Sequence, residues 1–208
     1  AFASYESPGS IALVNFSMRL TELPLAICVG IVSLVLFPRM AKSFKSDLVL
    51  HQKYIKYGIQ ATIALSLVMT ITLLQLPYEY SSFVFGYGAM SEFDIGRISS
   101  LISIGLLYIP LSGLITFNTS IFYARSNTRS PLIVNTLGLI VLILLLNSRI
   151  FGDDLAGVMW SLVSSFFVIL VFQIIALKKE SQNYFDNVID RSLIFGAASG
   201  IGLCLASG

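Results

Sequence analysis

Two full charges stand inside the first long apolar run, Arg19 and Glu22 in the stretch NFSMRLTELPLAI at 15–27. Arg19 lies about ten residues into that run, which at ~1.5 Å per residue is ~15 Å deep, near the centre of a bilayer core. A charge there costs at least ~2.5 kcal/mol and by default marks a substrate or ion path. A planar guanidinium grips phosphate with two parallel hydrogen bonds, so Arg19 points to an anionic, phosphate-bearing ligand. On a helix, steps of three and four residues from Arg19 reach Ala12, Asn15, Glu22, Ala26, Gly30 and Ser33, a stripe of small and polar residues. The remainder, with Ile11, Val14, Leu20, Ile27 and Leu34, is apolar. The stripe is expected to face protein or a wet cavity, and the remainder lipid. Asn15 and Glu22 are thus candidate ligand contacts beside Arg19. The plainer use of the same residues is a private Arg19–Glu22 pair that staples helices together. Pro24 removes an in-helix hydrogen bond and favours a kink, which makes it a candidate hinge.

Other chemistry finds little footing. The loop carboxylates Glu79, Glu92, Asp94, Asp153 and Asp154 form no histidine-assisted or metal-like set, so the residues do not read as an enzyme's. His51, the one histidine, lies in a basic stretch and reads as a solvated loop residue. Cys28 and Cys204 fall in apolar runs and read as small hydrophobes. The chain contains no GxxxxGK[ST], and GAASG at 196–200 reads as a helix-packing face with no preceding strand. No cofactor is implied, and a net charge of +2 offers no nucleic-acid footprint.

The elements that must carry Arg19 are membrane helices. Of 208 residues 56% are hydrophobic and 12% charged, with a mean hydropathy of +0.85, against about 25% charged in soluble domains. The fold class is all-α, a polytopic membrane protein. Five runs reach the ~20 residues a span needs, at about 10–37, 55–76, 98–122, 131–148 and 155–177, and a sixth, about 192–207, is cut by the chain end. Lys and Arg concentrate in the first, third and fifth connections, which the positive-inside rule makes cytoplasmic. Trp160 and Tyr78 then belong to the outer interface. Arg125 and Arg129 in the third connection are topology anchors, and candidates for a cytoplasmic gate or lipid-headgroup contact. In the third helix Gly105, Tyr108, Ser112, Thr116, Thr119 and Tyr123 share a face that reads as close packing, and PLSG at 110–113 predicts a kink. The fourth and fifth helices hold no carboxylate, only Asn135 and Gln173, which gives a cation site little support. The first residue is Ala, so a missing N-terminus is expected.

Three stretches carry a resemblance. GSIALVNFSMRLTELPLAICVGIVSLVLFPRMAKS, FVFGYGAMSEFD (83–94) and FYARSNTRSP (122–131) are, in that order, similar to motifs of the MurJ/MviN family of lipid II flippases in the MOP superfamily. The family's Ala-Asp-Arg-Leu and Leu-Pro correspond to Ser17-Met18-Arg19-Leu20 and Leu23-Pro24, and its Arg-x-Asp-Thr-Arg-Thr-Pro loop to residues 125–131. The resemblance implies fourteen helices in two lobes around a cavity, of which residues 1–208 would be the C-terminal lobe, helices eight to thirteen. It implies Arg19 as a cavity arginine for a lipid diphosphate, a lipid-linked diphosphate glycan as substrate, and the missing N-terminal lobe and membrane lipids as partners. It also implies a bacterial cytoplasmic (inner) membrane. Met18 stands where the family has Asp, and Asn127 where it has an acidic residue. These departures leave the glycan open between lipid II and another lipid-linked oligosaccharide, with a non-transporting scaffold as the third reading.

Overall fold

The computed structural model describes residues 10–86 and 90–180. The expected sixth span, the GAASG motif and Cys204 lie outside the described residues. The described chain is helical: α1 (Ser10–Ser46), α2 (Leu48–Gln75), α3 (Pro77–Phe85), α4 (Glu92–Gly105), α5 (Tyr108–Ala124), α6 (Arg129–Ser148) and α7 (Leu155–Glu180). Three of these helices are long and apolar enough to cross a membrane, and up to five spans result if each of two bent pairs counts as one. The protein is therefore an all-α, multi-pass membrane protein.

α1 and α5 form the centre of the bundle. α1 packs on α2, α4 and α5, while α5 also packs on α2 and α7, and α6 rests chiefly on α7 at the edge. Leu13, Ile98, Leu101, Leu155 and Met159 meet at one end of the bundle. Met40, Ile55, Phe122, Ala124 and Leu177 meet at the other. The first and third connections, and the start of the fifth, therefore share one end, as their basic character requires.

Lipid tails are as apolar as leucine, so these helices are held by close approach rather than by escape from water. Small residues make that approach. A Cβ on Gly58 of α2 would enter the ring of Phe117 on α5, and one on Gly138 of α6 would enter Ile169 of α7. A Cβ on Gly113 would stand 3.0 Å from Val29 Cγ2 and 3.3 Å from Thr62 Cγ2. Buried hydroxyls mostly return to their own helix: Ser17 donates to Leu13 O, Ser66 to Ile63 O, Ser161 to Gly157 O and Ser165 to Leu162 O.

Three features depart from the expected helix pattern. First, α1 does not stop at Pro38 but runs on to Ser46, and the expected first loop shrinks to Asp47. A mid-helix proline forfeits one bond and bends the helix without ending it. The real boundary is Asp47, whose Oδ1 accepts from Val49 N and Leu50 N at 3.0 Å each, a strong N-cap. His51 is consequently helical and only 2% exposed, not a solvated loop residue. Its Nδ1 lies 2.9 Å from Met40 O, and because a carbonyl only accepts, Nδ1 carries the proton. Nε2 is then free to accept from Arg125 Nε at 3.4 Å. This one ring joins the ends of α1, α2 and α5.

Second, the expected third span is two helices bent by 48° at Leu106–Leu107, one turn before the predicted kink. Pro110 has no N–H for Leu106 O, its partner four residues back, so the strain falls there. Leu106 O instead accepts from Ile109 N at 3.1 Å and from Thr70 Oγ1 of α2 at 3.4 Å. The small-residue face splits accordingly: Gly105 and Ser112 are buried, while Thr116 and Tyr123 are exposed. Third, α3 occupies what reads as loop; Pro77 starts it, its missing N–H being harmless in a first turn.

Two outcomes are expected from this packing. Gly58→Ala forces a methyl into a fully buried ring and should cost about 1–3 kcal/mol, read as a lower Tm of the detergent-solubilised protein. Gly30→Ala, whose Cβ meets nothing within 4 Å, should not lower it. His51→Phe keeps the ring volume, removes both hydrogen bonds, and should cost roughly 1–2 kcal/mol by the same measurement.

Candidate functional site

The first half of α1 has a buried face and an open one. Leu13, Ser17, Leu20, Thr21 and Pro24 are buried against the bundle. Ala12, Asn15, Arg19, Glu22 and Ala26 are exposed. The stripe thus stays together on an open face from Ala12 to Ala26, whereas Gly30 and Ser33 further along are partly buried. One assignment to the lipid side is corrected. Leu20 is 1% exposed and packs in the cluster with Ile98, Leu101 and Ile102, because on a 3.6-residue repeat it falls between Ser17 and Thr21 on the packing face. Ile27 and Leu34 are exposed, at 59% and 77%.

Arg19 and Glu22 line a groove of about 520 Å³ together with Phe16, Leu20, Leu23, Ala26, Val84 and Phe85. Among the described residues the two charges form no ion pair with each other. The staple reading therefore lacks its contact. Glu22 also borders a small void of about 10 Å³ with Met18, Thr21, Gly105, Tyr108 and Met159, room for about one water molecule. Tyr108 stands there with its ring edge-on to Phe166 at 4.5 Å.

α3 supplies the far wall of the groove, and nothing in the apolar pattern announces this. Phe85 packs edge-on against Phe16 with ring centres 5.2 Å apart. Tyr80 Oη donates to Leu20 O at 2.8 Å, across 60 residues of sequence. The start at Pro77 and the aromatic spacing of Tyr80, Phe83 and Phe85 are the only local signals for the helix.

The remaining candidates fall at the two ends. Arg125 reaches His51 and so helps hold the helix ends, whereas Arg129 is exposed at the start of α6. Asn127 Oδ1 accepts from the N–H groups of Arg129 and Ser130 at 3.1 Å each, and its Nδ2 donates to Ser130 Oγ at 2.8 Å. An ionised aspartate would accept the same two N–H groups but could not make that third bond. At the opposite end the carboxylates serve local structure. Asp94 caps α4 with Ser91, Asp154 accepts from Gly157 N at 2.9 Å, and Asp153 pairs with Arg149 at 2.8 Å on the surface. Among the described residues no three His, Cys, Asp or Glu side chains gather as metal ligands.

Comparison with known proteins gives this geometry a context. A solved structure, "Lipid II flippase MurJ, inward closed conformation", superposes with a TM-score of 0.75 at 20% identity over 94% of this chain and 41% of that one, a likeness of fold. Proteins described as probable lipid II flippase MurJ are similar in sequence. That of Rickettsia prowazekii is 29% identical over 134 residues, 64% of this chain and 26% of its own length. That of Buchnera aphidicola subsp. Acyrthosiphon pisum is 28% identical over 165 residues, 77% and 32%. That of Thermotoga maritima is 30% identical over 132 residues, 62% and 26%. The chain thus spans about a quarter to a third of the curated relatives it matches. The family description "Lipid II flippase MurJ" matches residues 1–206, and on that extent this chain belongs to the lipid II flippase MurJ family.

Proposed function

We propose that this chain is the C-terminal lobe of a flippase that moves a polyprenyl-diphosphate-linked cell-wall precursor, lipid II, across the bacterial cytoplasmic membrane for peptidoglycan synthesis. The observation that carries this reading is the placement of Arg19 and Glu22: two intramembrane charges, unpaired with each other, on an open helix face beside a groove with apolar walls. Such a groove suits a ligand with an anionic head and a hydrocarbon tail. Arg19 would grip the diphosphate with both arms of its guanidinium. Asn15 would add a hydrogen bond, and Glu22 would orient Arg19 and moderate the local positive field. Pro24 would let α1 bend as the site opens alternately to each side.

The second lobe closes the groove in this reading, which is why the charged face points away from the bundle. Arg129, exposed at the basic end, would meet lipid headgroups. Arg125 would act there through His51, as part of a clip and not as a free gate. The reading assigns the chain no bond-making step, so it is a transporter lobe and not an enzyme. Met18 borders the void beside Glu22, where the family has an acidic residue. The glycan attached to the diphosphate is therefore the part of this proposal most open to replacement by another lipid-linked oligosaccharide.

The test places Arg19→Ala and Arg19→Lys in the full-length protein, reconstituted in vesicles with lipid II. The alanine variant should lose about 10- to 100-fold in flipping, the worth of a charge-assisted bond. The lysine variant should recover only part, because an ammonium keeps the charge but not the two-armed grip. Undiminished flipping by the alanine variant would refute the role of Arg19.

A further inference from the structure

Pro24 carries no N–H, so the carbonyl four residues before it, Leu20 O, loses its helical partner. In a hydrocarbon environment an orphaned carbonyl is costly, and a neighbouring group must take it. The group that does so is the hydroxyl of Tyr80, at 2.8 Å. Leu20 is the residue next to Arg19, and both lie with Pro24 inside Ala12–Ile27, the segment of α1 that meets Val29–Ser46 at a 41° bend after Ile27. The bond therefore fastens α3 to the one turn of α1 that decides where the guanidinium points.

We propose that Tyr80 is a positioning residue for Arg19: its hydroxyl, latched on the carbonyl that Pro24 frees, ties the turn that carries Arg19 to α3 and keeps α3 over the groove. Three features make the latch specific. α3 packs mainly on α4 and reaches α1 through long aromatic side chains, Tyr80 and Phe85, not through close backbones. The same helix contributes Val84 and Phe85 to the groove wall, so releasing Tyr80 frees that wall. A second freed carbonyl, Leu106 O, is taken by Thr70 from the long helix α2, which packs closely on α1 and α5. This assignment rests on Arg19 as the anion contact, but its test does not.

The experiment uses full-length protein in a background free of other reactive cysteines, with Ala26→Cys as reporter in the groove. The rate at which a water-soluble maleimide labels the reporter thiol is compared among Tyr80→Phe, Pro24→Ala and the double variant. Tyr80→Phe should raise the rate severalfold in the Pro24 background. It should change nothing when residue 24 is alanine, because the restored N–H then occupies Leu20 O. Pro24→Gly supplies the same N–H should the alanine variant not fold. Tyr78→Phe, on the exposed side of α3, should match the parent. Equal effects of Tyr80→Phe with and without Pro24, or no effect with it, would overturn the latch. Labelling needs no substrate, so Arg19→Ala can abolish flipping while this cycle stands, and the converse failure is equally readable.

Discussion

In a membrane helix a carbonyl without a partner is costly, and two prolines of this bundle show how that cost is met. Pro24 inside α1 and Pro110 in the first turn of α5 each release the carbonyl four residues before them. In both cases a hydroxyl from a different helix takes it: Tyr80 at Leu20 O and Thr70 at Leu106 O. The α4–α5 pair is bent by 48° in the turn before Pro110, and α1 by 41° one turn after Pro24. A helix pair that packs through glycine at Gly58 and Gly113 can follow such bends closely, since no side chain holds the backbones apart.

The charges of α1 follow the same rule with a different outcome. Within the described residues Arg19 is exposed and does not pair with Glu22, although both sit where a lipid-facing charge would be prohibitive. The buried face of α1 is meanwhile filled with Leu13, Leu20 and hydroxyls that bond back to their own helix. In its first half the helix therefore satisfies its hydroxyls inward and leaves its charges outward, toward a groove walled by α3, whereas Ser33 Oγ further along is buried without a partner. The chain belongs to the MurJ family and spans about a quarter to a third of the relatives it matches.

The basic end of the bundle is tied together by polar contacts at the helix ends. Asp47 starts α2 directly after α1, His51 ties Met40 to Arg125, and Asn127 organises the first turn of α6. These contacts are short-range, and each uses a polar group at a helix end where water and headgroups are near.

Much of this was legible from residue order alone. Apolar run length established the helical membrane class, because a bilayer of fixed thickness demands it. The lysines and arginines placed the first and third connections at one end, where Arg125 meets His51. Arg19, Asn15, Glu22 and Ala26 were expected on one face, and a 3.6-residue repeat suffices to put them there. Other features were decided by tertiary structure. Leu20 belongs to the core and His51 is buried because faces on α4 and α5, distant in sequence, reach them. α1 passes through Pro38, since one lost bond does not outweigh a following run that can stay helical. α3, its Tyr80 bond and the groove wall had no periodic signal, because a nine-residue helix is too short to show one and its partner lies 60 residues away. Local pattern sets which face a residue occupies; only packing across the chain sets what that face meets.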